Sequence, residues 1–191
     1  MRRPILLTGL TAGARSMVVR AHDGALRDHA DVIREEHLLE AVLADDEARH
    51  LLGEGLDDAV SGQVRSELAV SRRKGGVTAS EEAALAALGI DLEVVVAQIE
   101  RHLGAHTLAP EPDRGRGRHR TGFSAEVARI VSEAGRHASA SRSRSLDIEH
   151  VVLALVSTPG ALADSLARRG VDESGVRATR SSPMGRRGEA G

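Results

Sequence analysis

The chain contains a duplication. The segment Ile33–Val42, Ile-Arg-Glu-Glu-His-Leu-Leu-Glu-Ala-Val, returns 113 residues later as Leu146–Leu155, Leu-Asp-Ile-Glu-His-Val-Val-Leu-Ala-Leu. At the same shift Leu10 falls on Phe123, Thr11 on Ser124, Ala12 on Ala125, Val18 on Val131, Ala21 on Ala134 and Ala25 on Ala138. Beyond the Glu-His segment a two-residue gap restores the match, so that Ala48, Leu51, Gly55, Leu56 and Asp57 align with Ala163, Leu166, Gly170, Val171 and Asp172. A repeat of this kind restricts the fold to two similar units, because small and apolar positions that coincide in sequence are asked to do the same packing.

Each unit is punctuated as helices are. Thr11 or Ser124 supplies a hydroxyl to cap a first helix, the Glu-His segment forms a second, and a third is stopped by Gly, with Asp starting the next. Composition agrees. Hydrophobic residues make up 41% of the 191, almost all of them aliphatic, and Phe123 is the lone aromatic. Ala, Leu, Glu and Arg lose little rotamer freedom in a helix, and strand-type alternation is scarce, so the predicted class is all-α.

Between the copies lies a stretch that the duplication does not account for. A helix is predicted from Asp57 to Val70, broken at Arg72-Arg73-Lys74-Gly75-Gly76. Thr78-Ala79-Ser80-Glu81 then has the spacing of a capping box. Leu85 and Leu88 follow at helical spacing, and Gly89-Ile90-Asp91 repeats the Gly55-Leu56-Asp57 signal. Leu92, Val95, Val96, Ile99 and Leu103 form one apolar face of a further helix. The first unit, 10–104, is therefore read as carrying an inserted helical hairpin. Residues 105–122, with Pro110, Pro112, Gly115 and Gly117, read as an Arg/Pro/Gly-rich linker, 123–176 as the second unit, and 177–191 as a disordered tail poor in core-forming residues.

Two Glu-His-led helices in register, each behind a Thr/Ser cap and ahead of a Gly-hydrophobic-Asp turn, resemble the Clp amino-terminal domain, the double repeat that precedes the ATPase modules of ClpA and ClpC unfoldases. The resemblance spans roughly Leu10 to Val176. It implies two pseudo-symmetric helical bundles packed into one globule, and the binding of substrates, degradation signals and adaptor proteins. The opening Phe of each family repeat is Leu10 here in the first copy and Phe123 in the second. In the family these positions border a hydrophobic groove for peptides and cyclic-peptide antibiotics. Glu36 and Glu149 match the glutamate that in ClpC-type domains helps to bind phosphorylated arginine. The family's Gly-Thr before Glu-His is replaced by Arg34-Glu35 and by Asp147-Ile148. A carboxylate still pairs with a guanidinium through two parallel hydrogen bonds, but Glu35 repels a phosphate and Ile148 offers it no hydroxyl. The expected partner-binding residues are therefore Leu10, Phe123, Glu36 and Glu149. The expected partners are protein or peptide ligands, among them a Clp ATPase, its substrates or cyclic peptides.

The same glutamates also suit a purely structural role, since a carboxylate near a helix start is favoured by the helix dipole. His37 and His150, flanked by apolar positions, read as packing histidines bonded to backbone. No cysteine is present, and no His-Glu-x-x-His pattern gives ligands for zinc. A Gly-x-Ser-x-Gly elbow and a phosphate loop ending in Gly-Lys-Ser/Thr are both missing, so no enzymatic activity and no cofactor are expected. The run Arg114-Gly115-Arg116-Gly117-Arg118-His119-Arg120 supplies the other reading, a regulator that touches nucleic-acid phosphates through its linker. Against it, the net charge is −2 and no aromatic residue accompanies the arginines for base stacking. The amino terminus lacks the apolar stretch of a signal peptide and no run reaches membrane-spanning length, so a cytoplasmic protein is expected.

Overall fold

The computed structural model describes residues 9–53, 56–103 and 122–181. These form helices α1 (Ala12–Arg27), α2 (Glu35–Leu43), α3 (Asp46–Leu52), α4 (Asp58–Arg73), α5 (Ala79–Ala87), α6 (Leu92–Leu103), α7 (Ala125–Ala140), α8 (Ile148–Ser157), α9 (Ala161–Ala167) and α10 (Glu173–Ser181). Two-residue strands, β1 (Val32–Ile33) and β2 (Gly122–Phe123), complete the order. The class is all-α. Among the described residues no single helix is long and apolar enough to cross a membrane.

The duplication holds in three dimensions. Helices α1 and α7 have the same bounds at the 113-residue shift, α2 and α8 begin in register, and α3 and α9 coincide once the two-residue gap is allowed. Thr11 Oγ1 caps α1 by accepting from Ala14 N at 3.3 Å, and Ser124 Oγ caps α7 by accepting from Val127 N at 3.2 Å. The buried face of α1 is Ala14, Met17, Ala21 and Ala25, and that of α7 is Val127, Ile130, Ala134 and Ala138, the same four positions. Spacings of three and four residues align them on one stripe, and the alanines let α1 lie close on α2, as α7 does on α8.

Helices α2 and α8 are the centre of each unit, buried on nearly every side. In a sequence so short of aromatics their Leu and Val side chains carry most of the hydrophobic stabilisation, each contributing roughly 1.5–3 kcal/mol when fully buried. The core is one cluster that crosses between the units, with Leu39 and Val42 of the first and Val152 and Leu155 of the second all inaccessible to solvent.

The units also exchange backbone. Strand β1 of the first unit pairs in parallel with β2 of the second, Val32 opposite Gly122 and Ile33 opposite Phe123. In the mirrored place Leu10 forms a parallel bridge with Leu146. Ser124 N donates to Ile33 O at 2.9 Å and Thr11 N donates to Leu146 O at 3.0 Å. The leader of each unit is thus held by the segment preceding the Glu-His helix of the other.

A polar clamp joins α4 to α9. Glu67 accepts from Arg169 Nη2 at 2.7 Å, from Arg168 Nη2 at 2.6 Å and from the buried hydroxyl of Ser165 at 2.6 Å. These bonds, Arg169 first, hold its carboxyl down at about 2. Helix α10 continues to Ser181, past residue 177 where the sequence suggested a tail. Its side is tied by Glu173 to Arg177 at 2.6 Å and its face by Val176, which is buried. Residues 182–191 and most of the anticipated linker lie outside the described residues.

Candidate functional site

The Glu-His motif builds the same cap twice. His37 is the third residue of α2, and its Nδ1 accepts the backbone N–H of Arg34 at 3.0 Å. His150 Nδ1 accepts from Asp147 N at 3.0 Å. A side chain at this position that reaches back to the N-cap amide satisfies a donor the helix cannot. Because Nδ1 accepts, the ring proton sits on Nε2, which points at Asp28 in the first unit (3.3 Å) and at Ser141 Oγ in the second (2.9 Å). Asp28 and Ser141 are themselves equivalent by the 113-residue shift. Burial lowers the basicity of His150, whose charged form loses solvation. The Ser141–His150 contact is not a nucleophile with its base, since Nε2 donates and the hydroxyl gives its proton to Ala138 O at 3.0 Å.

With the histidines fixed, the neighbouring glutamates are fixed too. Glu36 is buried and accepts from Arg72 Nη1 of α4 at 2.8 Å. Glu149 is more open and lies 3.0 Å from Arg180 Nε of α10 and 3.4 Å from His150 Nε2. Leu10 and Phe123 sit in the two exchanged pairings, both half-buried, with Phe123 packed against the core. The four residues chosen from sequence therefore belong to two pseudo-equivalent places where a leader of one unit meets a Glu-His helix of the other: Leu10 at the approach to α8, and Phe123 at the approach to α2.

Those two places differ in chemistry. At the α8 end Gly13 of α1 lies so close to Ile148 that a Cβ on it would stand 2.6 Å from Ile148 Cδ1. The contact is apolar. The equivalents of Gly13 and Ile148 are Glu126 and Glu35, so at the α2 end two carboxyls occupy the same relation. Glu35 is only 8% exposed. Burial, then the like charges of Glu126 and Glu36, push its carboxyl up to about 7, while Arg72 and Arg129 pull the other way. In the sequence Glu35 reads as a replacement, one that repels a phosphate, for the Thr of the related motif. Part of the upward push on its carboxyl comes from Glu126, 91 residues away, which no local pattern announces.

At the α8 end the acidic character comes from across the unit boundary. Thr11 Oγ1 donates to Asp147 Oδ1 at 2.8 Å. Glu47 of α3 has its carboxyl pushed up by partial desolvation and by Asp147, Asp45 and Glu149. Each end thus combines an aliphatic or aromatic side chain in the exchanged pairing with carboxylates at the following helix start. Among the described residues no group of three or more His, Asp or Glu is placed to hold a metal ion.

One further feature had no sequence signal. A cleft of about 530 Å³ opens between the start of α5 and the second unit, bounded by Glu81, Arg129, Val156, Pro159, Gly160 and Asp164. Beside it Ser80 ties α5 to α9, its Oγ donating to Asp164 Oδ1 at 2.5 Å. Glu35 borders the same region, its Oε1 being 3.9 Å from where a Cβ on Gly160 would stand.

No protein-family model matches the sequence, and no curated protein matches it. In structure the chain is similar to the N-terminal domain of the caseinolytic protease associated chaperone ClpD from Arabidopsis thaliana. The TM-score is 0.48 and the identity 13%, over 94% of this chain and 96% of that one. It is also similar to the Hsp104 N-terminal domain from Candida albicans, with a TM-score of 0.46 and 11% identity, over 90% of this chain and 88% of that one.

Proposed function

We propose that the chain is a non-catalytic, peptide-binding domain that recognises substrates, degradation signals, adaptors or cyclic peptides, and so serves as an adaptor or decoy for Clp-dependent proteolysis. The observation that carries this reading is the paired construction just described. Twice in one domain a half-buried apolar side chain at a strand exchange stands beside carboxylates at the start of a buried helix. Leu10 and Phe123 are the apolar anchors. Glu36 and Glu149 are the charged selectors, and for each of them a ligand guanidinium would exchange with an intramolecular arginine, Arg72 or Arg180, at little net change in charge. Such exchange favours selection over raw affinity, because the ion pair gained replaces one that is given up. The Ser141–His150 pair does not supply a nucleophile and its base, since the ring has no free acceptor nitrogen.

The test is a pull-down from lysate with the purified full chain, run beside a Phe123→Ala variant first checked for native circular dichroism. Recovery of unfoldase components or of a set of client proteins by the parent, reduced several-fold by the variant, is the expected result. Equal recovery by both removes Phe123 from the site. Salt-sensitive capture of nucleic acid that disappears when Arg114–Arg120 are neutralised would replace this reading with the linker-based one.

A further inference from the structure

The α5–α6 hairpin repeats, residue for residue, the turn that joins α9 to α10. Gly89 (φ 80°) corresponds to Gly170 (φ 77°), both in the left-handed region that only glycine enters freely. Ile90 N donates to Leu85 O at 2.9 Å, as Val171 N donates to Leu166 O at 3.0 Å. Asp91 caps α6 by accepting from Val94 N, and Asp172 caps α10 by accepting from Gly175 N. The apolar set Leu85, Ile90 and Val95 thus corresponds to Leu166, Val171 and Val176.

The two sets have opposite fates. Leu166, Val171 and Val176 are 0%, 7% and 2% exposed, covered by α8 and its neighbours. Ile90 and Val95 are 43% and 38% exposed and Leu85 is half-buried; Leu88 beside them is 77% exposed, and α5 has no buried residue. The hairpin is nevertheless held firmly. Lys74 at its base pairs with Glu82 at 2.7 Å and Glu93 at 3.0 Å, and Ser80 fastens α5 to Asp164. An element that is covered by an aliphatic helix at its other occurrence in the molecule is here presented with that face open.

We propose that the α5–α6 face is a docking surface for a helix of another protein, one with an α8-like stripe of Val, Leu and Ala flanked by Lys or Arg. The aliphatic stripe follows from what covers the matching hairpin. The basic flanks follow from charge: residues 74–103 carry Glu81, Glu82, Asp91, Glu93 and Glu100 against Lys74, which pairs with Glu82 and Glu93, and Arg101, so the hairpin stays net acidic. The same charge disfavours a second copy of this chain, which would set one acidic hairpin against another. This surface is separate from Leu10, Phe123, Glu36 and Glu149, so either site can fail without the other.

The probe is a fluorescent synthetic peptide bearing the α8 segment Ile148–Ser157 between lysine flanks, titrated into the full chain at two salt concentrations. Saturable binding is expected, weaker at high salt and weakened at least tenfold by the double substitution Ile90→Asp/Val95→Asp. The thermal midpoint should stay within a few degrees of the parent, because both side chains are already exposed. Three results would overturn the proposal. They are no saturable binding, binding indifferent to the double substitution, and a self-association by sedimentation that the same substitution abolishes, which would make a second copy the occupant.

Discussion

Replacing Glu35 by glutamine is expected to stabilise the protein by about 3 kcal/mol at pH 8 and to change it little at pH 4. Glu35 ionises at 4.5 in an unfolded chain but near 7 in the folded one, so the native state holds the proton more tightly. Its contribution to stability is complete below 4.5 and is lost as the pH rises through 7. Above that, folding confines a carboxylate beside Glu126 and Glu36 with only Arg72 and Arg129 to offset them. Glutamine keeps the shape and removes the charge. For a chain of this size the gain amounts to roughly 4–12 °C in thermal midpoint at pH 8. Other groups titrate nearby. His150 works in the opposite sense, since a lowered basicity in the folded state means that stability falls as the pH drops below 6.5. Glu67 loses its contribution progressively as the pH falls from 4.5 through about 2. The difference between variant and parent cancels both. Denaturant unfolding of the pair from pH 4 to 8 should give a difference that climbs from near zero to its plateau. A flat difference would show that Glu35 is solvated like an ordinary carboxylate.

The second large effect concerns the two units. Polypeptides 1–104 and 122–191, prepared separately, are expected to lack cooperative unfolding, and mixing them in equal amounts should restore helicity and a single transition. Each unit lacks part of its own structure when alone. The Ile33 carbonyl that receives Ser124 N, and the Leu146 carbonyl that receives Thr11 N, belong to the opposite halves. Helix α9 leans on α4, and α3 on α8 and α10. Leu166 and Val152, inaccessible in the whole, lie in a cluster shared with the first unit. The 70-residue second polypeptide is already marginal for a self-sufficient core, and for either half removal of the partner exposes aliphatic surface that nothing local replaces. If either half alone melts cooperatively, the units are independent domains and the interlocking described here is wrong.

Much of this architecture was legible in the residues. The 113-residue shift located α1 against α7 and α2 against α8, because helix caps and buried stripes are local patterns that duplicate with the sequence. The hairpin and its Gly89-Ile90-Asp91 turn were legible for the same reason. The strand exchange was not, since two-residue strands are too short to show alternation and their pairing joins segments 90 and 136 residues apart. Pairing of Glu36 with Arg72 and burial of Glu35 beside Glu126 were equally hidden, as both depend on which helices meet. The reach of α10 to Ser181 escaped because its only buried residue is Val176, and a helix held on by one apolar side chain and exposed ion pairs looks in sequence like a polar tail.

We propose that ligands are received where the exchanged leaders meet the Glu-His helices. Hydrogen–deuterium exchange of the full chain, with and without an excess of a reduced and alkylated, permanently unfolded protein, tests it directly. Added protection at Leu10–Thr11, at Phe123–Ser124 and in the first turns of α2 and α8 is the predicted outcome. Exchange unchanged at all four segments, at client concentrations where binding is otherwise detected, would contradict it.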